Sequence, residues 1–396
     1  MTAFFCAVCS VPSFAQASDP PVLASRSAVL FDATTGKLLY EKDADEVIPP
    51  ASLTKLMSMF VVLDDVAAGR LSLSDIVDLP RSTWAASQPW GSSLMFLAPG
   101  QTVTLGELML GLAVSSGNDA AIAVALHVAG SVEAFAGRMN LKARELGLQK
   151  TRFTEPSGYS ELNLTTAREF GSFCVAYIRA HPEALRDFHS VREFAYPKAE
   201  NQGAAFRDDP GTVVQSNRNL LLGEFEGVDG LKTGFIIESG YNIALTAERK
   251  GTRLLAVLLG GPGASSSRGG RIRADDGAVL LDWGFDRFKT VRPVVENLEA
   301  TRVWKGRSRK LGVVPAGPLA FTAPADRALS VSWEVRRNPW VVAPVRAGDE
   351  LGSIVFSDGG GELHRVPLAA AESVPRGNVF VRFFDSIALF FMKLFS

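Results

Sequence analysis

Three short polar motifs, far apart along the chain, restrict what this sequence can fold into: Ser52-Leu53-Thr54-Lys55, Ser116-Gly117-Asn118 and Lys232-Thr233-Gly234. The first follows a Pro49-Pro50 break and opens an apolar run of helical period, Leu56, Met57, Phe60, Val61 and Leu63. Proline is tolerated at or ahead of a helix start but not inside one, so the break sets the boundary just before Ser52. Residues three apart on a helix share a face, which brings the Ser52 hydroxyl within reach of the Lys55 amine. A helix N-terminus also presents free N–H groups and the positive end of the dipole, a setting that favours an oxyanion. A hydroxyl becomes a nucleophile when an adjacent base takes its proton, and a desolvated lysine with a lowered pKa is such a base. By itself Ser-x-x-Lys is common on ordinary helices, as a capping serine and a solvated lysine.

The other two motifs change that reading. Ser116-Gly117-Asn118 falls between two helix-period segments, Val103–Val114 and Asn118–Ala129. Lys232-Thr233-Gly234 follows Asp229-Gly230-Leu231 and precedes alternating apolar residues, which predicts the edge of a strand. A Ser-x-x-Lys tetrad, then Ser-x-Asn, then Lys-Thr-Gly, each in its structural setting, is the motif set of a serine acyl-transfer site.

The chain resembles the D-alanyl-D-alanine carboxypeptidases, low-molecular-mass penicillin-binding proteins with a second β domain and a C-terminal amphipathic anchor. Beyond the three motifs, the likeness is carried by Leu30-Phe31-Asp32-Ala33 with Thr35-Gly36, Asn217-Arg218-Asn219, Val228-Asp229-Gly230-Leu231, Gly240-Tyr241-Asn242, Leu281-Asp282-Trp283-Gly284-Phe285 and Val374-Pro375-Arg376-Gly377-Asn378. The resemblance implies that Ser52 attacks the carbonyl of the penultimate D-alanine of a peptidoglycan stem peptide, that Lys55 is the base, and that β-lactams are inhibitors. It implies that Ser116 hydrogen-bonds between Lys55 and Lys232 and relays a proton, and that Asn118 orients Lys55 and holds the substrate amide. Lys232 would supply positive charge, Thr233 a hydroxyl for the substrate carboxylate, and Gly234 room for the substrate backbone. The oxyanion hole would be the N–H groups of Ser52 and Phe235; relatives often carry histidine where this chain has Phe235. Arg218 and Arg273 match basic residues around the terminal carboxylate, with Arg268 and Arg271 as alternatives to Arg273. No cofactor or metal is implied.

Length and composition agree with this. The 396 residues are enough for two domains, and 47% apolar residues supply a large core. A formal net charge of −1 argues against nucleic acid as the main partner. The four histidines, His127, His181, His189 and His364, have no partners at metal-ligand spacing. Phe4–Val11 and Ala15-Gln16-Ala17 read as an export signal with a small-x-small cleavage form, although no basic residue precedes the apolar core. Cys6 and Cys9 would leave with it. Cys174, on the apolar face of a predicted helix, is then the only cysteine, and it reads as core.

The predicted architecture is α/β, β-lactamase/transpeptidase-like: an antiparallel sheet with a helical cluster, then a small all-β sandwich and a C-terminal amphipathic helix. Predicted elements are a hairpin over 28–40 with its turn at Thr34-Thr35-Gly36-Lys37, helices over 52–68, 103–114, 118–129, 134–146 and 165–180, a second hairpin around Lys250-Gly251, and a closing helix over 274–283. The boundaries are 1–17 for the signal, 22–288 for the peptidase domain, 289–374 for the β domain and 375–396 for the anchor. In the last segment Asn378, Arg382, Asp385, Ser386, Lys393 and Ser396 share one helical face and the phenylalanines the other. That pattern predicts a helix lying in a membrane interface, with the protein peripheral on the periplasmic face of the cytoplasmic membrane.

Two rival functions remain at this level. A class A-like β-lactamase needs a glutamate four residues ahead of an asparagine in the loop over 154–166; ahead of Asn163 that position is Tyr159. A non-catalytic cell-wall scaffold would account for the β domain and the helix but not for intact Ser52, Lys55, Ser116 and Lys232. Endopeptidases that cut peptide cross-links share the same motifs.

Overall fold

The computed structural model describes residues 19–395, so the export-signal reading, with Cys6 and Cys9, lies outside the described residues. Strand β1 (Ser27–Asp32) is buried at every position because both of its faces are covered. Val29 and Phe31 point into a core shared with a cluster of helices, whereas Ala28 and Leu30 point into a second core under one long helix. This alternation is the period of two expected of a strand in a central layer. With β2 (Leu38–Lys42), β3 (Val228–Ile236), β4 (Gly240–Arg249) and β5 (Thr252–Gly261) it forms one antiparallel sheet in the order β2-β1-β5-β4-β3. N-terminal and C-terminal strands therefore share a sheet, and β3 is left at an edge.

The helices are α1 (Lys55–Ala67), α2 (Leu105–Leu110), α3 (Asn118–Ala129), α4 (Val132–Glu145), α5 (Ala167–Ala180) and α6 (Ser266–Arg287). Helix α5 lies directly on β1: a Cβ at Gly171 would sit 2.5 Å from the Phe31 ring, so only glycine permits that approach. Cys174 is buried in the same core. Helix α6 covers the opposite face through Ala274, Leu280, Leu281 and Phe285.

Three predicted helices have different bounds. The segment opening at Ser52 starts as a tight 3-10 turn, Ala51–Thr54, and becomes α-helical only at Lys55. The pattern over 103–114 divides: Val103–Thr104 pairs with Ile76–Val77, a Thr104–Glu107 capping box starts α2, and Gly111–Ser115 form a wide π turn. Helix α6 runs beyond its predicted limits at both ends, because the polar stretch Arg268–Asp276 hides its period. The Lys250-Gly251 hairpin turn is as expected, both residues being left-handed with φ of 49° and 77°.

Strand Phe288–Val291 follows α6 immediately and pairs with Phe321–Pro324. Beyond it lies a four-stranded antiparallel sheet of Val313–Pro315, Gly361–Ala370, Glu350–Asp358 and Ser332–Arg337. A smaller sheet of Lys310–Leu311, Thr301–Trp304 and Val341–Val342 accompanies it, around a core of Val303, Leu311, Phe321, Ile354, Phe356, Val366 and Leu368. Helix α7 (Val379–Leu394) packs on this domain through its polar side. The Asp385 carboxylate accepts the Lys305 N–H at 2.6 Å, while Phe380, Phe383, Phe384, Phe390 and Phe391 stay exposed. Among the described residues, no single helix is long and apolar enough to cross a membrane.

One carboxylate ties the two domains. Asp32 Oδ1 accepts N–H bonds from Thr34 and Thr35 in the first hairpin turn, and Oδ2 accepts the hydroxyls of Thr290 and Thr322, both at 2.8 Å. Asp32→Ala strands these donors, and the expected loss is about 2–3 kcal/mol in chemical denaturation. A variant as stable as the parent would mean that water replaces the carboxylate at the joint.

Candidate active site

The Ser52 turn is built by sterics. Pro50 closes the preceding segment, Ala51 takes a left-handed φ of 51°, and the next residues coil tightly enough to bring Lys55 under Ser52. Lys55 is fully buried, and its Nζ lies 3.4 Å from Ser52 Oγ, 2.8 Å from Asn118 Oδ1 and 2.6 Å from the Ser157 carbonyl. Burial pulls its pKa down to about 7; the Glu155 carboxylate opposes that fall, Arg218 adds to it, and Asp119 opposes it. A neutral amine has two N–H bonds and one lone pair. Asn118 and Ser157 offer only oxygen acceptors, so they take the two N–H bonds and the lone pair is left facing the serine hydroxyl.

That arrangement depends on residues outside the motifs. The Glu155 carboxylate accepts N–H bonds from Ser157 (2.7 Å) and Gly158 (2.6 Å), the Ser157 hydroxyl (2.5 Å) and the Asn163 amide (2.9 Å). Asn163 Oδ1 in turn accepts the Thr154 N–H at 2.7 Å. The loop so closed aims the Ser157 carbonyl at Lys55. It also presses on the Ser52 turn: Gly158 is left-handed at φ 80°, and a Cβ there would lie 1.8 Å from the Ala51 carbonyl oxygen. Tyr159, at the position where the lactamase pattern has its glutamate, is exposed. Asp119 is the second missed residue. Its buried carboxylate accepts N–H bonds from Met95, Phe96 and Leu97 at 2.8–3.1 Å and fixes the irregular segment that follows the cleft residues Gly91 and Ser93. Clusters of Glu, Pro, Ser and Gly and an acidic residue after Ser-Gly-Asn were the only signals in the sequence, and both read equally as turn chemistry.

Ser116 ends the wide turn after α2 in a left-handed conformation, φ 59°, and lines the same cleft as Ser52. Among the described residues no hydrogen bond joins it to Lys55 or Lys232; it forms the wall of the cleft together with Ser52. Lys232 is buried on β3, with Nζ donating to the Thr233 carbonyl at 3.1 Å. Its pKa is held well below normal by burial, then by Lys55, Arg218 and Arg273. Gly234, which lines the cleft, has a further reason to be glycine. A Cβ there would stand 2.9 Å from the Pro50 carbonyl oxygen and 3.0 Å from the Ser52 nitrogen, so glycine lets β3 meet the serine turn itself. The same absence of a side chain keeps the Ser52 N–H clear. Phe235 next to it is half-exposed, with its ring 4.4 Å from that of Tyr241.

The two arginines differ. Arg273 is buried and donates to the carbonyls of Gly234 (2.9 Å) and Asn242 (3.2 Å), and burial lowers its pKa to about 10. Arg268 and Arg271 are exposed, so Arg273 is the arginine of α6 that reaches the site. Arg218 stands at the rim with its guanidinium 2.7 Å from Ser93 Oγ, between two asparagines that anchor its backbone. Asn217 donates to the Val191 carbonyl and Asn219 to the Gly230 carbonyl at the start of β3. Ser52, Ser116, Thr233, Gly234, Phe235, Arg218 and Arg273 thus converge on one cleft of about 660 Å³, with Lys55, Asn118 and Lys232 buried behind them. Two fixed guanidinium groups suit a carboxylate-bearing ligand. Among the described residues no cluster of His, Cys, Asp or Glu is placed to hold a metal ion.

The comparisons with known proteins agree with this geometry. The family model for D-alanyl-D-alanine carboxypeptidase matches residues 14–263, and that for the C-terminal domain of penicillin-binding protein 5 matches residues 288–376. The chain is 35% identical to the D-alanyl-D-alanine carboxypeptidase DacC of Escherichia coli, over 96% of this chain and 92% of that protein. Penicillin-binding protein 5 from Haemophilus influenzae superposes with a TM-score of 0.78 at 28% identity, covering 91% of this chain and all of that one. Penicillin-binding protein D2 from Listeria monocytogenes, solved with cefotaxime bound, gives a TM-score of 0.57 at 30% identity over 68% of this chain and all of that one. With a cleft of this construction and matches over nearly its whole length, the chain belongs to the D-alanyl-D-alanine carboxypeptidase family.

Proposed function

We propose that this protein is a serine-type D-Ala-D-Ala carboxypeptidase that removes the terminal D-alanine from peptidoglycan pentapeptides through an acyl-enzyme on Ser52, and that β-lactams inhibit it by acylating the same serine. The observation that carries the reading is the Lys55 amine, buried, drawn to a pKa of about 7 and set 3.4 Å from Ser52 Oγ. Lys55 takes the hydroxyl proton as Ser52 Oγ attacks the carbonyl of the penultimate residue. The N–H groups of Ser52 and Phe235 stabilise the tetrahedral oxyanion, each donor being worth about 3–4 kcal/mol in sites of this kind. Collapse expels D-alanine, whose amine takes the proton back from Lys55 by way of Ser116, and water then hydrolyses the ester. Asn118 holds Lys55 and the substrate amide, Lys232 supplies positive charge, and Thr233, Arg218 and Arg273 receive the terminal carboxylate.

The loop over 154–166 favours this function over a β-lactamase. Its one carboxylate near Lys55, Glu155, is saturated by hydrogen bonds within the loop and is not free to activate water. Incubated with penicillin, the protein gains the mass of the drug on Ser52 and keeps it through repeated washing. Rapid return to the unmodified mass indicates a lactamase instead. Ser52→Ala lowers D-alanine release from a pentapeptide by roughly 10⁴-fold or more, and retained release by that variant removes Ser52 from the mechanism.

The pH dependence has a defined sign. Only neutral Lys55 accepts a proton, so kcat/KM rises with pH and levels off above about 7. Arg218→Gln removes a cation that disfavours the ammonium and shifts the midpoint up; Glu155→Gln removes an anion that favours it and shifts the midpoint down. Opposite displacements of the two variants support Lys55 as the base. Midpoints that do not move assign the titration to another group.

The protein is proposed to act outside the cytoplasm, on the periplasmic face of the cytoplasmic membrane. The apolar segment over 4–11 with its small-x-small site supports export, and the exposed phenylalanine face of α7 supports attachment to a lipid surface. Deleting residues 377–396 is expected to move the protein from the membrane pellet to the supernatant with its peptidase activity intact. A truncated protein that still sediments with membranes refutes the anchor.

A further inference from the structure

At the root of α7 the helix and the β domain border an open cavity of about 470 Å³, separate from the Ser52 cleft and lined by Lys305, Arg376, Val379, Arg382, Phe383 and Ser386 among others. Three cations converge on it. None of them forms an ion pair among the described residues, although most arginines of the same domain near an acid do so, as Arg327 with Asp358 and Arg365 with Glu362. Asp385, the one acidic residue of α7, does not line the cavity. Its carboxylate is turned to the Lys305 N–H at 2.6 Å and to Arg309 at 4.0 Å. Lys305 is held there by both partners. Its N–H goes to α7, its carbonyl accepts the Gly377 N–H at 2.8 Å, and its backbone adopts the left-handed φ of 57° that a lysine rarely takes.

Like charges gathered without a counter-ion repel, and the arrangement is relieved by an anion among them. A tetrahedral phosphate oxygen set is the anion that two arginine forks and an ammonium match best. The rim decides which phosphate. Phe383 and Val379 line the cavity and are 60% and 72% exposed, and they continue into the phenylalanine face of the helix. The ligand therefore has a phosphate end beside an acyl end. We propose that this cavity is a headgroup site for an anionic phospholipid, holding the phosphate between Lys305, Arg376 and Arg382 while α7 lies among the acyl chains. The site rests on the reading of α7 as a membrane-surface helix and gives that helix a lipid preference.

The test is sedimentation of the mature full-length protein with vesicles of phosphatidylcholine alone or of phosphatidylcholine with phosphatidylglycerol. Two triple variants are compared with wild type: K305Q/R376Q/R382Q, which empties the cavity of charge, and R307Q/K310Q/R346Q, which removes three exposed cations of the same domain that do not line it. Peptidase activity and circular dichroism, expected unchanged, report folding. Each cation at an anionic surface is worth roughly fivefold in partitioning, so wild type gains roughly 10²-fold from the site when phosphatidylglycerol is present. The cavity variant loses most of that gain and retains its binding to phosphatidylcholine, and the control variant keeps most of the gain. Equal loss in both variants means diffuse attraction and overturns the site, as does an unchanged cavity variant; in either case α7 still binds vesicles and the anchor stands. Wild type that binds neither vesicle overturns the anchor and the headgroup site together. Glycerol phosphate titrated by calorimetry distinguishes the source. If it saturates wild type but not the cavity variant, while both bind phosphatidylglycerol vesicles alike, the site serves a soluble phosphate ester and the lipid assignment falls.

Discussion

An ammonium group sealed from water at the start of α1 carries a desolvation penalty of several kcal/mol unless it gives up its proton. Lys55 has no carboxylate in contact with it, only the amide oxygen of Asn118 and the carbonyl of Ser157. Those acceptors favour an N–H without cancelling a full charge, and the amine is accordingly poised near neutrality. Each surrounding feature keeps that balance. The loop that supplies the Ser157 carbonyl is closed by Glu155 and Asn163, the helix that supplies Asn118 starts beside an extended loop segment fixed by Asp119, and β3 brings Lys232 close enough to penalise a second positive charge. A carboxylate placed directly on Lys55 would stabilise the ammonium and remove the base.

How much of this was readable from the chain follows from what each residue answers to. Ser52, Lys55, Asn118 and Lys232 sit in motifs whose spacing reports the chemistry, and the helix–loop–helix and hairpin settings around them follow from local periodicity. Glu155 and Asp119 answer to backbone N–H groups brought near by tertiary folding, which no local pattern records. Gly234 was legible as a glycine but not in its further reason, because the crowding comes from Pro50 and Ser52, remote in sequence. Ser116 was legible as a hydroxyl of the site, but not the left-handed backbone that places it on the cleft wall. Element bounds failed where two local preferences compete, as in the stretch from Val103 to Ser115, where strand pairing, a capping box and a glycine in close contact with Met95 divide what reads as one helix.

The joint between the two domains is polar: besides the Asp32 carboxylate, the Thr35 and Thr322 hydroxyls meet at 2.7 Å and the Thr290 N–H donates to the Thr252 hydroxyl at 2.9 Å. The first hairpin turn, which begins the peptidase sheet, and strand Phe288–Val291, which leaves α6, meet at one carboxylate with four donors. Charged hydrogen bonds of this kind are directional and resist bending more than an apolar contact of equal area. The joint thereby sets how the β domain is oriented relative to the sheet whose edge strand walls the cleft. At the far end of that domain α7 adds the opposite surface character, a row of phenylalanines.

Deacylation is the step at which this construction limits itself. Attack of the Ser52 hydroxyl on the substrate carbonyl and attack of water on the resulting ester both need a base beside Ser52, and among the described residues the only amine in contact with the hydroxyl is Lys55. A second base on the opposite side would speed the hydrolysis of every acyl-enzyme, including those formed with a strained lactam. Here the carboxylate available for that purpose is spent on closing the loop, where it fixes the geometry of Lys55 instead. The same glutamate cannot accept two backbone N–H groups, a hydroxyl and an amide while also polarising water. On the proposed mechanism, fast acylation by a well-placed lysine and slow hydrolysis of a lactam-derived acyl-enzyme are two consequences of one choice of hydrogen-bond partners.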